Sequence, residues 1–156
     1  MSDDLQRESL SKEADHVLEE ARMILPGIQA LFGFQWVAVF SNRFVDLPAQ
    51  RQELHLAALF AVAVAIALIM TPAIYHRQVE PHSVSRGFIT LATRCLMAAS
   101  IPLLVGIGLE FYVVARLIAP NALVGGLLTA LLLTIFVALW FALPRLQRYR
   151  NLHISS

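Results

Sequence analysis

The sequence predicts an all-α integral membrane protein, in which a four-helix transmembrane bundle follows a cytoplasmic amphipathic helix. The chain has 156 residues, of which 58% are hydrophobic and 15% are charged, whereas soluble domains are about a quarter charged. Four windows of about twenty apolar residues fit within this length, and each is long enough to cross a bilayer as a helix. Because the formal net charge is only +1, we expect no nucleic-acid partner.

Residues 1–22 are expected to form the amphipathic helix. Leu10, Ala14, Val17 and Ala21 recur at spacings of four, three and four residues, which is the period of an α-helix. The apolar stripe is short and the surrounding residues are charged. We therefore expect this helix to pack against the protein's own bundle rather than in a coiled coil.

The transmembrane bundle is expected over residues 23–143, with polar loops between its first three helices. The four spans are predicted at about 23–40, 54–75, 88–119 and 122–143. In the second span Ala57, Ala61 and Ala65 recur at every fourth position, which favours close packing of helices. The third span is longer than the hydrocarbon requires, so a tilt or a kink at Pro102 is expected.

The distribution of lysine and arginine predicts that both termini, including a basic tail at 144–156, are cytoplasmic. Such residues accumulate on the cytoplasmic side of membrane proteins. Two of them, Arg43 and Arg51, fall on the opposite side of the predicted topology. Those on the cytoplasmic side are Arg7, Lys12, Arg22, Arg77, Arg86, Arg145, Arg148 and Arg150.

Three charged residues lie within the predicted spans, where a charge costs at least about 2.5 kcal/mol at the helix centre. Arg94 lies near the cytoplasmic side and is expected to extend to lipid phosphates. Arg116 lies near the outer interface and is expected to reach water, as is His55 of the second span. Glu110 lies about 12 Å inside the third span at 1.5 Å per residue. It should therefore face the bundle interior, be protonated, or be paired.

The sequence thus places a candidate transport site in a polar layer around Glu110. The antiparallel arrangement of helices brings Gln35 and Thr129 to a similar depth, with Gln29 and Thr134 closer to the midplane. Candidate charge partners are His55, Arg116 and Arg94. The alternative is that the same layer only joins helices or subunits through hydrogen bonds, and residue spacing does not decide between these functions.

No cofactor, metal or enzymatic activity is predicted. Cys95 is the single cysteine and lies in an apolar run. An intrachain disulfide is therefore excluded, because it needs two cysteines. No haem, zinc or iron–sulfur spacing occurs in the sequence. His76, Glu80 and His82 come close together in the second polar loop. They are expected to be solvated, with a transient divalent-cation site as the alternative.

Three strings carry a resemblance to a known family: EARMILPGIQALFGFQ (20–35), MTPAIYHR (70–77) and RGFITLATR (86–94). They resemble small bacterial four-span membrane proteins of unknown function, some of which carry automatically assigned sodium:proton antiporter labels. The resemblance implies a bacterial inner-membrane protein and assigns no catalytic residue. Its motif positions are Glu20, Pro26, Gly27, Gln29, Gly33, Gln35, Pro72, His76 and Arg77.

Together these features predict an ion channel or a proton-linked cation transporter whose ligand is a proton or a small cation. Four short helices enclose little space, so a parallel homo-oligomer within the lipid bilayer is expected. The alternative is a non-transporting adaptor or assembly protein that binds a partner through its cytoplasmic helix and tail.

Overall fold

The computed structural model describes residues 2–81, 83–119 and 121–147, and within these ranges the chain is helical except for short connections. No strand occurs in the described ranges, and the prediction of an all-α helical bundle is confirmed. The helices are α1 (Ser2–Val39), α2 (Asn42–Val45), α3 (Ala49–Val79), α4 (Arg86–Ile118) and α5 (Ala122–Val137). A π-helical segment, Ala138–Ala142, continues α5.

Within the described ranges, three helices are long and apolar enough to cross a membrane, as expected for a membrane protein. They are α3, α4 and the continuous helix Ala122–Gln147, with mean hydropathies of 2.5, 1.9 and 2.5 over their most apolar windows. Two glutamines, Gln29 and Gln35, lower the hydropathy of the second half of α1, and α1 is not among the three. The span at 23–40 therefore stays a prediction.

Two expected boundaries differ in the structure. The amphipathic segment and the predicted first span form one uninterrupted helix, α1, with Pro26 inside it. The expected loop at 41–53 contains α2, and α3 already begins at Ala49 after Pro48. Pro48 itself is extended, with φ −54° and ψ 140°, and its carbonyl oxygen accepts from the backbone N–H of Arg51 at 2.8 Å, so the helix starts directly after the proline.

The other ends are set by local hydrogen bonds. Ser85 precedes α4, and its hydroxyl oxygen accepts from the backbone N–H of Phe88 at 3.1 Å. The side chain of Asn121 accepts from Leu123 in the same way at 2.9 Å. These side chains satisfy N–H groups that have no partner within the first turn of a helix. The α4 helix continues through Pro102 to Ile118.

The centre of the bundle is formed by α3 and α4, with α1 packed against both. The buried face of α3 comprises Ala58, Val62, Ala65 and Ile69, at spacings of four, three and four residues. Of the expected face, Ala65 is buried in the core, Ala61 is partly buried and Ala57 is exposed, because 3.6 residues per turn move a strict fourfold spacing off the interface. The central core cluster consists of Ile28, Val62, Ala65, Ile69, Ala99 and Leu103.

The first half of α1 packs on the bundle, as its apolar stripe predicts. Ala14 is only 2% exposed and forms a second core cluster with Phe88 and Ile89 of α4. Leu10 and Leu18 are partly buried against this cluster. The amphipathic helix is therefore an integral layer of the fold.

The last helix, α5, packs mainly on α4 and leaves most of its apolar surface exposed. Leu133 of α5 lies against Gly108 of α4, where a Cβ atom would be 2.7 Å from a leucine methyl carbon. On the outward side the exposed apolar side chains of this helix include Leu123, Leu127, Leu131 and Ile135. Apolar surface of this extent is unfavourable in water and suits contact with lipid or with another protein chain.

The close approach of α3 and α4 at Gly106 can be tested with a single methyl group. A Cβ atom at Gly106 would lie 2.7 Å from Cγ2 of Val62 and 3.1 Å from the carbonyl oxygen of Ala58. The backbone oxygen cannot move aside, so Gly106→Ala should separate the helices and lower the unfolding free energy by about 1–3 kcal/mol. Thermal unfolding in detergent micelles measures this change.

The matched control is Gly126→Ala, because nothing lies within 4 Å of a Cβ atom at Gly126. This variant should unfold at the wild-type temperature or slightly above it, since alanine favours a helix over glycine. Equal unfolding temperatures for the two variants would contradict the close approach.

Candidate functional site

Three polar side chains from three helices meet at the end of the bundle that carries α2. We call Gln35 of α1, His55 of α3 and Glu110 of α4 the polar cluster. Oε2 of Glu110 lies 2.9 Å from Nδ1 of His55 and accepts from Nε2 of Gln35 at 3.3 Å. Nε2 of His55 lies 3.0 Å from the backbone carbonyl oxygen of Gln35. These three contacts form a closed ring across α1, α3 and α4.

The antiparallel course of the helices brings these residues to one level. Gln35 lies near the end of α1, His55 near the start of α3, and Glu110 two turns before the end of α4. Gln35 and His55 are each 2% exposed, and the side chain of Glu110 is 18% exposed. The carboxyl group is therefore the part of the cluster that the protein covers least.

The short helix α2 covers the cluster from the end of the bundle. The ring of Phe44 packs edge-on against the ring of His55, with centroids 5.1 Å apart. The side-chain amide of Gln52 donates to the carbonyl oxygens of Phe44 and Leu47, each at 3.1 Å. These bonds hold the connection between α1 and α3 over His55.

The contacts of His55 restrict where its protons lie. The carbonyl oxygen of Gln35 only accepts hydrogen bonds, so Nε2 of His55 must carry a hydrogen to bond with it. The proton between Nδ1 and Glu110 then has two positions. On Nδ1 it gives an imidazolium beside a carboxylate, and on Oε2 it gives a neutral imidazole beside a carboxylic acid. Both arrangements keep every contact and differ by the position of one proton.

One buried polar atom of the cluster has no hydrogen-bond partner among the described residues. It is Oε1 of Gln35, which is buried. The amide must direct its NH2 group toward the carboxylate of Glu110, because two oxygens without a hydrogen between them would repel each other. This orientation leaves the amide oxygen as an unused acceptor within the cluster. Buried acceptors without a partner are uncommon and costly.

A cavity of about 410 Å³ adjoins the cluster. It is bordered by His55 and by residues of α1, α2 and α3 that include Trp36, Phe44, Gln52 and Glu53. Its walls are largely apolar, and Glu53 is an exposed carboxylate beside it. The cavity brings the protein surface close to the imidazole ring without exposing the ring.

The burial of His55 corrects one expectation from the sequence. The predicted topology places His55 within reach of water at the outer interface, but α2 and the ring of Phe44 cover it. A helix that begins at residue 54 would leave His55 in its first turn, whereas α3 begins at Ala49 and places more than one turn of helix before His55. The spacing in the sequence indicates this burial, because His55, Ala58 and Val62 follow one another at three and four residues and lie on the same buried face of α3.

The remaining sequence-predicted residues lie outside the cluster. Thr129 is buried, and its hydroxyl donates to the carbonyl oxygen of Gly125 in its own helix at 2.8 Å. Thr134 is exposed and bonds to its own helix in the same way. Gln29 and Arg94 are exposed. Their roles in transport stay predictions.

Arg116 is half-buried at the end of α4 that adjoins the cluster. Its methylene groups pack over Gly125 of α5, where a Cβ atom would lie 3.0 Å from Cδ of Arg116. The backbone carbonyl of Arg116 accepts from the guanidinium of Arg51 at 3.4 Å. A cation at this position interacts favourably with the C-terminal end of the helix dipole.

A family model described as a family of unknown function matches residues 3–144, a range that contains the whole polar cluster. The chain belongs to this family, DUF6328. The predicted resemblance to a family of unknown function is thereby confirmed. Comparison with curated proteins and with solved structures finds no match. Membership of DUF6328 assigns no activity, and the function of this chain must be argued from its own geometry.

No group of three or more His, Cys, Asp or Glu side chains that could hold a metal ion occurs within the described ranges of this DUF6328 chain. The loop set considered from the sequence includes His82, which lies outside the described residues. Glu80 accepts from the backbone N–H of Ser85 at 2.9 Å and from its hydroxyl at 2.7 Å. Glu80 therefore fixes the start of α4.

A double-mutant cycle tests the contact between His55 and Glu110. His55→Leu and Glu110→Leu should each lower the unfolding free energy by about 1–3 kcal/mol, because each leaves a polar partner unsatisfied. The double variant should cost less than the sum of the two, with a coupling of about 0.5–3 kcal/mol. Reversible unfolding in detergent micelles measures all three values.

Thr134→Ala provides the reference for this cycle, because the Thr134 hydroxyl bonds only within its own helix. Combined with Glu110→Leu, it should be additive to within about 0.5 kcal/mol. Additivity of His55→Leu and Glu110→Leu to the same precision would contradict a direct contact.

Proposed function

We propose that the protein is a proton-linked cation transporter or channel of the bacterial inner membrane that acts as a homo-oligomer. Both termini would be cytoplasmic, and the polar cluster would face the outer side. The observation that carries the proposal is the 2.9 Å contact between Glu110 and His55 within long apolar helices. A titratable pair among membrane-spanning helices is costly and typically marks an ion or proton pathway.

The pair has the chemistry needed to exchange a proton. Glu110 and His55 share one proton that moves between Oε2 and Nδ1 without disturbing the other contacts of the ring. Gain of a second proton leaves the pair with a net charge of +1, and loss of the shared proton leaves it with −1. Each exchange changes the charge of a largely dry site, which favours a compensating ion.

A small cation fits the deprotonated form of the cluster. The carboxylate of Glu110 and the unpartnered Oε1 of Gln35 are both oxygen acceptors, the ligand type that small hard cations prefer. Protons and a cation such as sodium would then compete for the same carboxylate. Competition of this kind couples the movement of the two ions.

The packing below the cluster supports a pathway between copies of the chain. At Gly106, one turn from Glu110, α3 and α4 approach too closely for an extra methyl group, which leaves no room for an ion between these two helices at this level. The exposed apolar surface of α5 offers an area for a second copy. In this proposal the ion leaves the cluster along an interface between two copies of the chain.

The alternative function, a membrane adaptor, has less support. The apolar face of the first half of α1 is already occupied, because Leu10, Ala14 and Leu18 pack on the bundle. The surface that the first half of α1 offers to a partner is therefore polar. It lacks the apolar residues that most stable interfaces bury at their centre. The end of the basic tail, residues 148–156, lies outside the described residues.

Ion flux in liposomes tests the proposal. The full chain is reconstituted with a pH-sensitive dye inside the vesicles, and a pH gradient is applied with and without an opposing sodium gradient. We expect the wild type to dissipate the pH gradient faster than empty vesicles do. Glu110→Gln keeps the size of the side chain but removes the exchangeable proton, and should reduce the flux to the level of empty vesicles. His55→Gln should have the same effect.

Thr134→Ala is the matched control, a polar membrane residue outside the cluster, and should retain the wild-type flux. Acceleration by an opposing sodium gradient would identify a carrier, and insensitivity to sodium would identify a proton channel. Absence of wild-type flux under every gradient would refute transport. Wild-type flux in Glu110→Gln would refute the role of the cluster.

A further inference from the structure

We infer that a groove between α1 and α3 binds one anionic phospholipid, with its phosphate at Arg22 and Arg77 and the start of an acyl chain along Leu25 and Met70. The groove is a cavity of about 500 Å³ bordered by these residues. It lies at the end of the bundle opposite to the polar cluster. The inference is therefore independent of the proposed transport function.

The groove has a basic end and an apolar end, as a phospholipid has a charged headgroup and apolar acyl chains. Because α1 and α3 are antiparallel, Leu25 of α1 and Met70 of α3 lie on the side of the groove nearer the membrane centre. Arg77 lies on the side nearer the predicted cytoplasmic surface, with His76 beside it, and Arg22 lies between these levels. A basic end and an apolar end match a headgroup and an acyl chain in that order.

The arginines of the groove are available to a ligand. Arg22 and Arg77 are both exposed, and no ion pair to either is formed within the part of the chain that the structure describes. The nearby carboxylate of Glu80 already accepts two hydrogen bonds from Ser85. Two guanidinium groups on facing helices therefore border the groove without a counter-charge, and phosphate oxygens accept hydrogen bonds from arginine in a fixed geometry.

His76 provides a further polar group in the wall. Its ring lies 5.0 Å from the ring of Phe88, which holds it in place. Nδ1 of His76 is buried and has no hydrogen-bond partner among the described residues.

The apolar wall favours a lipid over free phosphate. Between the arginines and the membrane centre, the groove is lined by Leu25, Ile69, Met70 and Ala73. An inorganic phosphate would leave this wall uncovered, whereas an acyl chain would cover it. The cavity has the volume of a small-molecule site, which accommodates a headgroup and the first part of one chain while the remainder extends into the bilayer.

Native mass spectrometry of the full chain in detergent micelles tests the inference. Phosphatidylglycerol and phosphatidylcholine with the same acyl chains are added in separate titrations. We expect one tightly bound phosphatidylglycerol per chain and much weaker binding of phosphatidylcholine. The variant with both Arg22→Gln and Arg77→Gln should bind phosphatidylglycerol about 30-fold more weakly, since each arginine contributes roughly a fivefold attraction to an anionic lipid.

Arg145→Gln is the matched control, because Arg145 is an exposed arginine at the same predicted membrane face but does not border the groove. It should bind phosphatidylglycerol as the wild type does. Ala73→Phe provides an independent variant, since Ala73 is exposed and the larger side chain would fill the apolar part of the groove. It should lose the lipid although both arginines remain.

Three results would overturn the inference. The first is equal affinity for the two lipids, and the second is unchanged phosphatidylglycerol binding in both groove variants. The third is displacement of the lipid by inorganic phosphate at equal concentration, which would identify a phosphate site instead. Unchanged unfolding temperatures of the variants confirm that any loss of binding is local.

Discussion

The ring of hydrogen bonds among Gln35, His55 and Glu110 is the constraint on which the arrangement of the helices depends. Apolar contacts have little direction, and within lipid they give little preference for one helix face over another. A polar group without a partner in such surroundings is costly. Because each member of the ring comes from a different helix, the three contacts of the ring fix the rotation and the level of α1, α3 and α4 together.

Close packing of small residues stabilises the helix alignment that the ring of hydrogen bonds selects. Next to Glu110 on α4, Gly106 allows the backbone of α3 to approach at Ala58 and Val62. Dispersion forces are short-ranged, so this approach contributes only if the two helices keep the rotation that the ring sets. The polar ring selects one alignment of α3 and α4, and the small residues stabilise this alignment along the rest of the contact between the two helices.

Much of this arrangement follows from the sequence, and the remainder depends on where helices begin. The helical character, the apolar stripe of α1 and the inward position of Glu110 follow from periodicity and from counting depth. The same count places Gln35 at the level of Glu110. The burial of His55 could not be deduced, because it depends on the early start of α3 after Pro48 and on the ring of Phe44. The true face of α3, through Ala58 rather than Ala57, requires the fractional period of the helix rather than the most regular alanine spacing.

The π-helical segment Ala138–Ala142 has a consequence for the last turns of the chain. A π-helical turn adds one residue to the α-helical repeat, and each residue turns the helix by about 100°. Residues 143–147, which follow the segment, are therefore rotated relative to the face that α5 presents to α4. Trp140 lies within the segment and packs against the central core. One continuous helix therefore packs on α4 through α5 and places an aromatic ring against the central core at its other end.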